Sequence, residues 1–138
     1  MRTAGSVTVT NINDAPVFPD TAFSVIENTT TGGNVLATDV DGDNVTYSIS
    51  GGVDVALFTI DTTTGALSFK AAPDYETPGD TNTDNVYALT LSANDGEGAT
   101  VSTAVTVTVT NINDAPVFPD TAFSVIENTT TVGNVLAT

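Results

Sequence analysis

Hydrophobic and polar residues alternate with a period of two along most of this chain. Phe23 and Val25 mark a first strand, and Val35 and Ala37 a second. Val45, Tyr47 and Ile49 alternate with Thr46 and Ser48 in a third. Leu57, Phe58, Thr59 and Ile60 give a fourth, and the stretch Asp61 to Gly65 reads as a turn. Leu67 and Phe69 mark a fifth strand. Tyr87, Leu89, Leu91 and Ala93 alternate with Ala88, Thr90 and Ser92 in a sixth. Val101, Thr103, Val105, Val107 and Val109 form a seventh, with threonines on its other face. Side chains on a strand point to opposite faces in turn, so this pattern predicts half-buried strands. The apolar residues are mostly Val, Ile, Leu and Phe, accompanied by Thr, and β-branched side chains suit a pleated surface. No stretch carries the stripe of an amphipathic helix. The predicted class is all-β, and seven strands in about 100 residues is the size of an immunoglobulin-like β-sandwich.

A long internal repeat sets the domain limits. The string beginning at Val7 begins again at Val107, a period of 100 residues. Between 7–38 and 107–138 a single position differs, Gly32 against Val132. Such a period marks a tandem array. The polar segment Asn-Ile-Asn-Asp-Ala-Pro occurs at 11–16 and 111–116 and reads as a linker. Residues 17–110 then form the complete domain. Residues 1–10 are expected to be the last strand of a preceding repeat, and 117–138 the first two strands of a following one.

Charge narrows the functions open to the chain. Seventeen acidic residues face two basic ones, Arg2 and Lys70, for a net charge of −15. Nucleic acid is excluded as a partner, because phosphate binding needs a basic face. Direct membrane insertion is not expected either, since no apolar run is long enough to span a bilayer. There is no Cys and no His, which removes disulfides, zinc sites and thiol or imidazole catalysis. Self-repulsion on this scale opposes a compact state unless cations offset it.

The acids are grouped at predicted strand ends. The groups are Glu27-Asn28, Asp39-Val40-Asp41, Asp74-Tyr75-Glu76, Ala93-Asn94-Asp95 and the linker Asn111-Ile112-Asn113-Asp114. Calcium takes six to eight oxygen ligands from carboxylates, amides and carbonyls. In an extended segment residues two apart face the same way, so Asp39 with Asp41, and Asp74 with Glu76, can each aim two carboxylates at one point. An EF-hand does not fit Asp39–Asn44, because Gly42 stands at loop position 4 and Ser50 at position 12. A glycosidase pair does not fit Asp74 and Glu76, since its carboxylates flank a substrate instead of sharing one strand face. No enzyme activity is expected.

The order and spacing of these motifs resemble the cadherin repeat, in its bacterial cadherin-like form, over residues 17–116. The matching elements are E-N, A-T-D-x-D-G, Y-S-I, F-x-I-D-x-x-T-G, D-Y-E, A-x-D and N-x-N-D-x-P. The resemblance implies a cadherin-like sandwich with Ca2+ at the junctions between repeats. It assigns Glu27, Asp74, Glu76, Asn111, Asn113 and Asp114 to the C-terminal junction. It assigns Asn11, Asn13, Asp14, Asp39, Asp41 and Asp95 to the N-terminal one. Three positions depart from the pattern. Asn111 replaces the usual first Asp of the linker, the linker is one residue short, and Tyr75 stands where Arg is usual. The implied function is a non-enzymatic adhesion or spacer module of a bacterial secreted or cell-surface adhesin, with an extracellular location. Its expected partners are neighbouring repeats of the same chain, a homophilic or carbohydrate ligand, and a second chain exchanging strands through 117–138. The alternative is a carbohydrate-binding module. A sugar platform needs exposed aromatics; there is no Trp, and only Tyr75 is expected at the surface, with Phe18, Phe23, Phe58, Phe69, Tyr47 and Tyr87 in or near the core.

Overall fold

The computed structural model describes residues 2–138. Seven strands form: β1 (Ala22–Ile26), β2 (Thr31–Asn34), β3 (Thr46–Gly51), β4 (Phe58–Ile60), β5 (Ala66–Phe69), β6 (Val86–Asn94) and β7 (Thr100–Thr110). They build two sheets, one ordered β1-β7-β6-β3 and the other β2-β5-β4. All pairings are antiparallel except β1 with β7, which is parallel from Ala22 opposite Thr106 to Ile26 opposite Thr110.

The alternation in β6 and β7 does what a sandwich requires. Tyr87, Leu89 and Leu91 face inward from β6, and Val105, Val107 and Val109 from β7. From the other sheet come Phe58, Leu67 and Phe69, with Val25 and Val35 filling the space between. Phe58, Phe69 and Tyr87 pack on one another, with centroids 4.2 to 5.7 Å apart in tilted and edge-on geometries that suit aromatic quadrupoles. The aromatic residues expected inside are therefore turned inward or partly covered, whereas Tyr75 is 38% exposed.

The second strand lies elsewhere than its hydrophobic pattern suggests. Its residues are Thr31–Asn34, Thr-Gly-Gly-Asn, whereas Val35 and Ala37 follow it. Val35 is buried at 1% exposure, but its N–H bonds to the carbonyl of Gly65 at 2.9 Å, outside any ladder. A bulge between Thr31 and Gly33 bends the strand across the sandwich, and Gly33 takes φ +120° to make the bend. One single-turn 3-10 helix, Val55–Leu57, also precedes β4, where the pattern had placed Leu57 in the strand.

The segment 17–38 is a hairpin of an unusual kind, because its two strands join different sheets. Its only internal ladder contact is the Val17–Thr38 bridge, with two 2.8 Å hydrogen bonds. Its turn holds Asn28 at φ 63°, with the Thr29 hydroxyl bonded to the Ile26 carbonyl at 2.7 Å. The copy at 117–138 has the same turn, with Asn128 at φ 66° and the Thr129 hydroxyl on the Ile126 carbonyl at 2.6 Å. Val117 and Thr138 likewise bond to each other. Yet 117–138 holds no strand and is exposed throughout, as are residues 2–10.

Candidate metal centres at the two poles

The ends of β1 and β7 define one pole. The chain leaves β1 at Ile26, and Glu27 turns inward with 1% exposure while its N–H bonds to the Thr110 carbonyl. Its carboxylate is held by two backbone donors, Tyr75 N–H at 2.9 Å and Ile112 N–H at 2.7 Å. One Glu27 oxygen thus grips the Asp74-Tyr75-Glu76 loop and the other grips the linker. Asp74 accepts from the N–H groups of Glu76 and Thr77, which fixes that loop in a tight Asx turn. Carboxylate oxygens of Glu27, Asp74 and Glu76 lie within 4.8 Å of one another. The Asn111 amide donates to Glu76.

Beneath this pole lies a polar floor that the pattern of the sequence does not announce. Asp54 (3% exposed) accepts from Thr81 N–H, the Thr81 hydroxyl and Ala88 N–H at 2.8 to 2.9 Å. Asp80 (4% exposed) accepts from Asp84 and Asn85 N–H. Asn85, at φ 64°, donates through its amide to the Tyr75 carbonyl at 3.0 Å and accepts from Val109 N–H. Asn85 therefore positions the middle of the Asp74-Tyr75-Glu76 loop against β7. The only hint in the sequence is the density of Asp and Asn between Gly79 and Asn85, which reads equally as a solvated turn.

The opposite pole is built where β6 ends and β3 begins. Asp39, Asp41 and Asp43 bring carboxylate oxygens within 4.8 Å of one another. Asp43 is a member that the D-x-D pattern left out. Asp39 Oδ1 accepts from Asp41 N–H at 2.8 Å, whereas Asp39 Oδ2 is buried with no hydrogen-bond partner. Desolvation, and then the charges of Asp39, Glu97, Asp41 and Asp95, push the Asp43 carboxyl above the usual range. Asp95 is 3% exposed, and the Asn13 amide donates to it at 2.7 Å. That bond, with the N–H groups of Glu97 and Ala99, holds the Asp95 carboxyl below the usual range despite burial. Asp14 N–H donates to Asp41 at 2.7 Å, and Pro16 is fully buried behind it.

Of the twelve residues chosen from sequence, the fold brings nine together in two groups. Glu27, Asp74, Glu76 and Asn111 meet at one pole, and Asn13, Asp14, Asp39, Asp41 and Asp95 at the other. Asn11, Asn113 and Asp114 are exposed on the linkers and do not join either carboxylate group. Each pole offers oxygen donors alone, which suits a hard divalent cation. The unpartnered buried Asp39 Oδ2 fits such an ion as well, because a buried carboxylate oxygen without a donor is costly.

Two packed sheets, a parallel pairing of first and last strands and carboxylates gathered at both ends define a β-sandwich domain with two acidic poles. The Cadherin domain family matches residues 21–110, and the chain belongs to that family. It is 42% identical to human Protocadherin-15 over 87 residues, which covers 62% of this chain and 4% of the relative. It is 37% identical to mouse Cadherin-related family member 2 over 116 residues, 77% of this chain and 9% of that protein. Among solved structures it resembles human Protocadherin-24 EC1-2, with TM-score 0.63 and 31% identity over 91% of this chain and 60% of that one. The chain spans less than a tenth of the length of these two curated relatives. Cadherin domains belong to an extracellular, non-enzymatic adhesion family and bind calcium. No helix among the described residues is long and apolar enough to cross a membrane.

Proposed function

We propose that this chain is a calcium-binding, non-enzymatic repeat of a secreted or cell-surface adhesin of the bacterial cadherin-like type, whose repeats are stiffened end to end by calcium. The observation that carries the proposal is the placement of a carboxylate trio at each pole, each held against a linker. Residues 17–110 are the repeat unit, and 11–16 and 111–116 are the joints. Glu27, Asp74, Glu76 and Asn111, joined by Asn113 and Asp114, serve the C-terminal joint. Asn11, Asn13, Asp14, Asp39, Asp41 and Asp95, with Asp43 added from the structure, serve the N-terminal joint.

The proposed mechanism is electrostatic. Bound calcium supplies positive charge that offsets the repulsion within each trio. The residues of the chain do the rest. Glu27 ties the linker backbone to the Asp74-Tyr75-Glu76 loop, so ordering one orders the other. Asn13 and Asn111 donate N–H to carboxylates here, and a half-turn of either amide presents its oxygen instead. Each linker Asn can thus satisfy the acids as a donor or join them as a ligand. Extracellular calcium modules bind at about 10⁻⁴–10⁻³ M. Small-angle scattering on a protein of two complete repeats, with calcium and with chelator, tests the proposal. The expected result is a longer, stiffer particle with calcium; equal maximum dimensions in both conditions would refute it.

A further inference from the structure

The two copies of the hairpin differ at one position, and that position is tight for any side chain. Gly32 is buried as the unpaired residue of the β2 bulge, between Thr31 opposite Ser68 and Gly33 opposite Leu67. A Cβ built on Gly32 would sit 3.1 Å from the Leu67 carbonyl oxygen, 3.2 Å from its carbon and 3.3 Å from Leu67 Cγ. Leu67 is itself 1% exposed and part of the core, so it cannot swing aside freely. A valine there adds two further methyl groups beyond that Cβ. Val132, the equivalent residue of the copy, is 63% exposed.

The copy is otherwise shaped to dock. Its turn and its Val117–Thr138 closure match those of 17–38. Gly133 lies over Phe123 as Gly33 lies over Phe23: a Cβ built on either glycine would meet the ring, at 2.9 and 2.8 Å. Its residues Phe123, Val125 and Ile126, the equivalents of Phe23, Val25 and Ile26 of β1, are 40 to 80% exposed and lie outside both sheets. The seat it matches runs parallel to β7 and starts at the far pole, beside Thr38. The seven steps from Thr110 to Val117 span at most about 25 Å. β7 alone is roughly 33 Å long. The seat within reach is therefore the one on a second copy of this chain.

We propose that repeat position 32 sorts the hairpins. Gly32 lets hairpin 17–38 close onto β5, and Val132 bars the near-identical hairpin 117–138 from that same seat on a second copy of the chain. A tandem array with near-identical repeats faces intermolecular exchange of identical elements. One buried glycine-to-valine difference opposes it while leaving the turn, the joint and the outer surface unchanged. The clash is an element built against the wrong partner, as specific pairings often require.

Sedimentation equilibrium on the full chain tests this, at protein concentrations up to about 1 mM, the range of an effective concentration set by a short tether. Four chains are compared: wild type, Val132→Gly, Gly32→Val and the double variant Gly32→Val/Val132→Gly. The double variant weakens the resident hairpin and relieves the copy, so it is expected to associate at least about tenfold more tightly than Gly32→Val alone. Val132→Gly is expected to associate more tightly than wild type. Equal association within both pairs overturns the proposal, as does a wild type that dimerises as tightly as Val132→Gly. Should Gly32→Val fail to fold, Val132→Gly against wild type decides alone, because position 132 is exposed and its change leaves the domain intact.

Discussion

Replacing Glu27 by Gln separates the two roles of that residue, because the amide keeps the shape and loses the charge. In the fold, Glu27 accepts two backbone hydrogen bonds and stands within 4.8 Å of Asp74 and Glu76. Gln can accept only one of the two bonds and points an N–H₂ at the other donor. Losing a bond to a charged acceptor costs about 1.5–3 kcal/mol. Removing the charge relieves repulsion at the same time. Two unit charges 4.8 Å apart repel by about 3.5 kcal/mol at an effective dielectric of 20 and about 0.9 kcal/mol in bulk water. Asp74 and Glu76 are exposed, so screening puts each repulsion towards the lower figure. With two such neighbours, relief offsets most of the lost bond. Calcium-free Glu27→Gln is therefore expected to melt within about 8 °C of wild type, since 1 kcal/mol moves Tm by about 4–8 °C in a domain of this size. With calcium the two proteins diverge. Saturation at 100 times Kd adds about 2.7 kcal/mol to a protein that binds only when folded. Wild type should gain that increment, and Glu27→Gln should lose most of it. Thermal melts followed by circular dichroism, with chelator and with millimolar calcium, read both differences. An equal calcium-induced rise in Tm for the two proteins would refute the reasoning.

Four more outcomes follow from packing and charge. Gly65→Ala should cost more than about 2 kcal/mol in urea unfolding, because φ is +69° and the new Cβ would lie 2.2 Å from the Val35 carbonyl oxygen. Leu91→Ala, at 0% exposure in the middle of β6, should lose about 2.7–5 kcal/mol by the same measurement. Acid should unfold the protein progressively below about pH 4. Asp54, Asp61 and Asp95 all have folded pKa values below the ordinary one, so their contribution is complete above the unfolded value and disappears as pH falls through the folded ones. Asp43 has the opposite sign: its raised pKa makes ionisation a penalty on the fold, so Asp43→Asn should raise Tm at neutral pH in chelator.

Most of the sandwich was legible because burial in β3, β6 and β7 follows side-chain alternation. Tyr87, Leu89 and Leu91 face the core for the reason that put them on one face of a predicted strand. β2 was not legible, because Thr-Gly-Gly-Asn carries no apolar pattern and earns its place through backbone pairing with β5 across a bulge. Val35 looked like a strand residue because it is buried, but burial and ladder pairing are separate properties. At the poles, Asp74 with Glu76, and Asp39 with Asp41, were visible as spacings, whereas Glu27 was joined to the first pair only through the resemblance to the cadherin repeat. Asp43 was not visible, since its approach depends on the turn at Gly42, with φ +80°. The floor of Asp54, Asp80 and Asn85 was hidden too: isolated acids acquire buried donors only once distant loops meet.

The parallel pairing of β1 with β7 has a mechanical consequence. Tension along an array would enter each domain at the start of β1 and leave at the end of β7. The two strands lie side by side and point the same way over five residue pairs. Pulling them apart therefore loads their hydrogen bonds together, in shear, instead of opening them one after another from an end. Resistance to such a pull is set by the unfolding barrier and not by the equilibrium stability. The domain is thus arranged so that the direction in which a tether would pull it is the direction in which the first and last strands yield together or not at all.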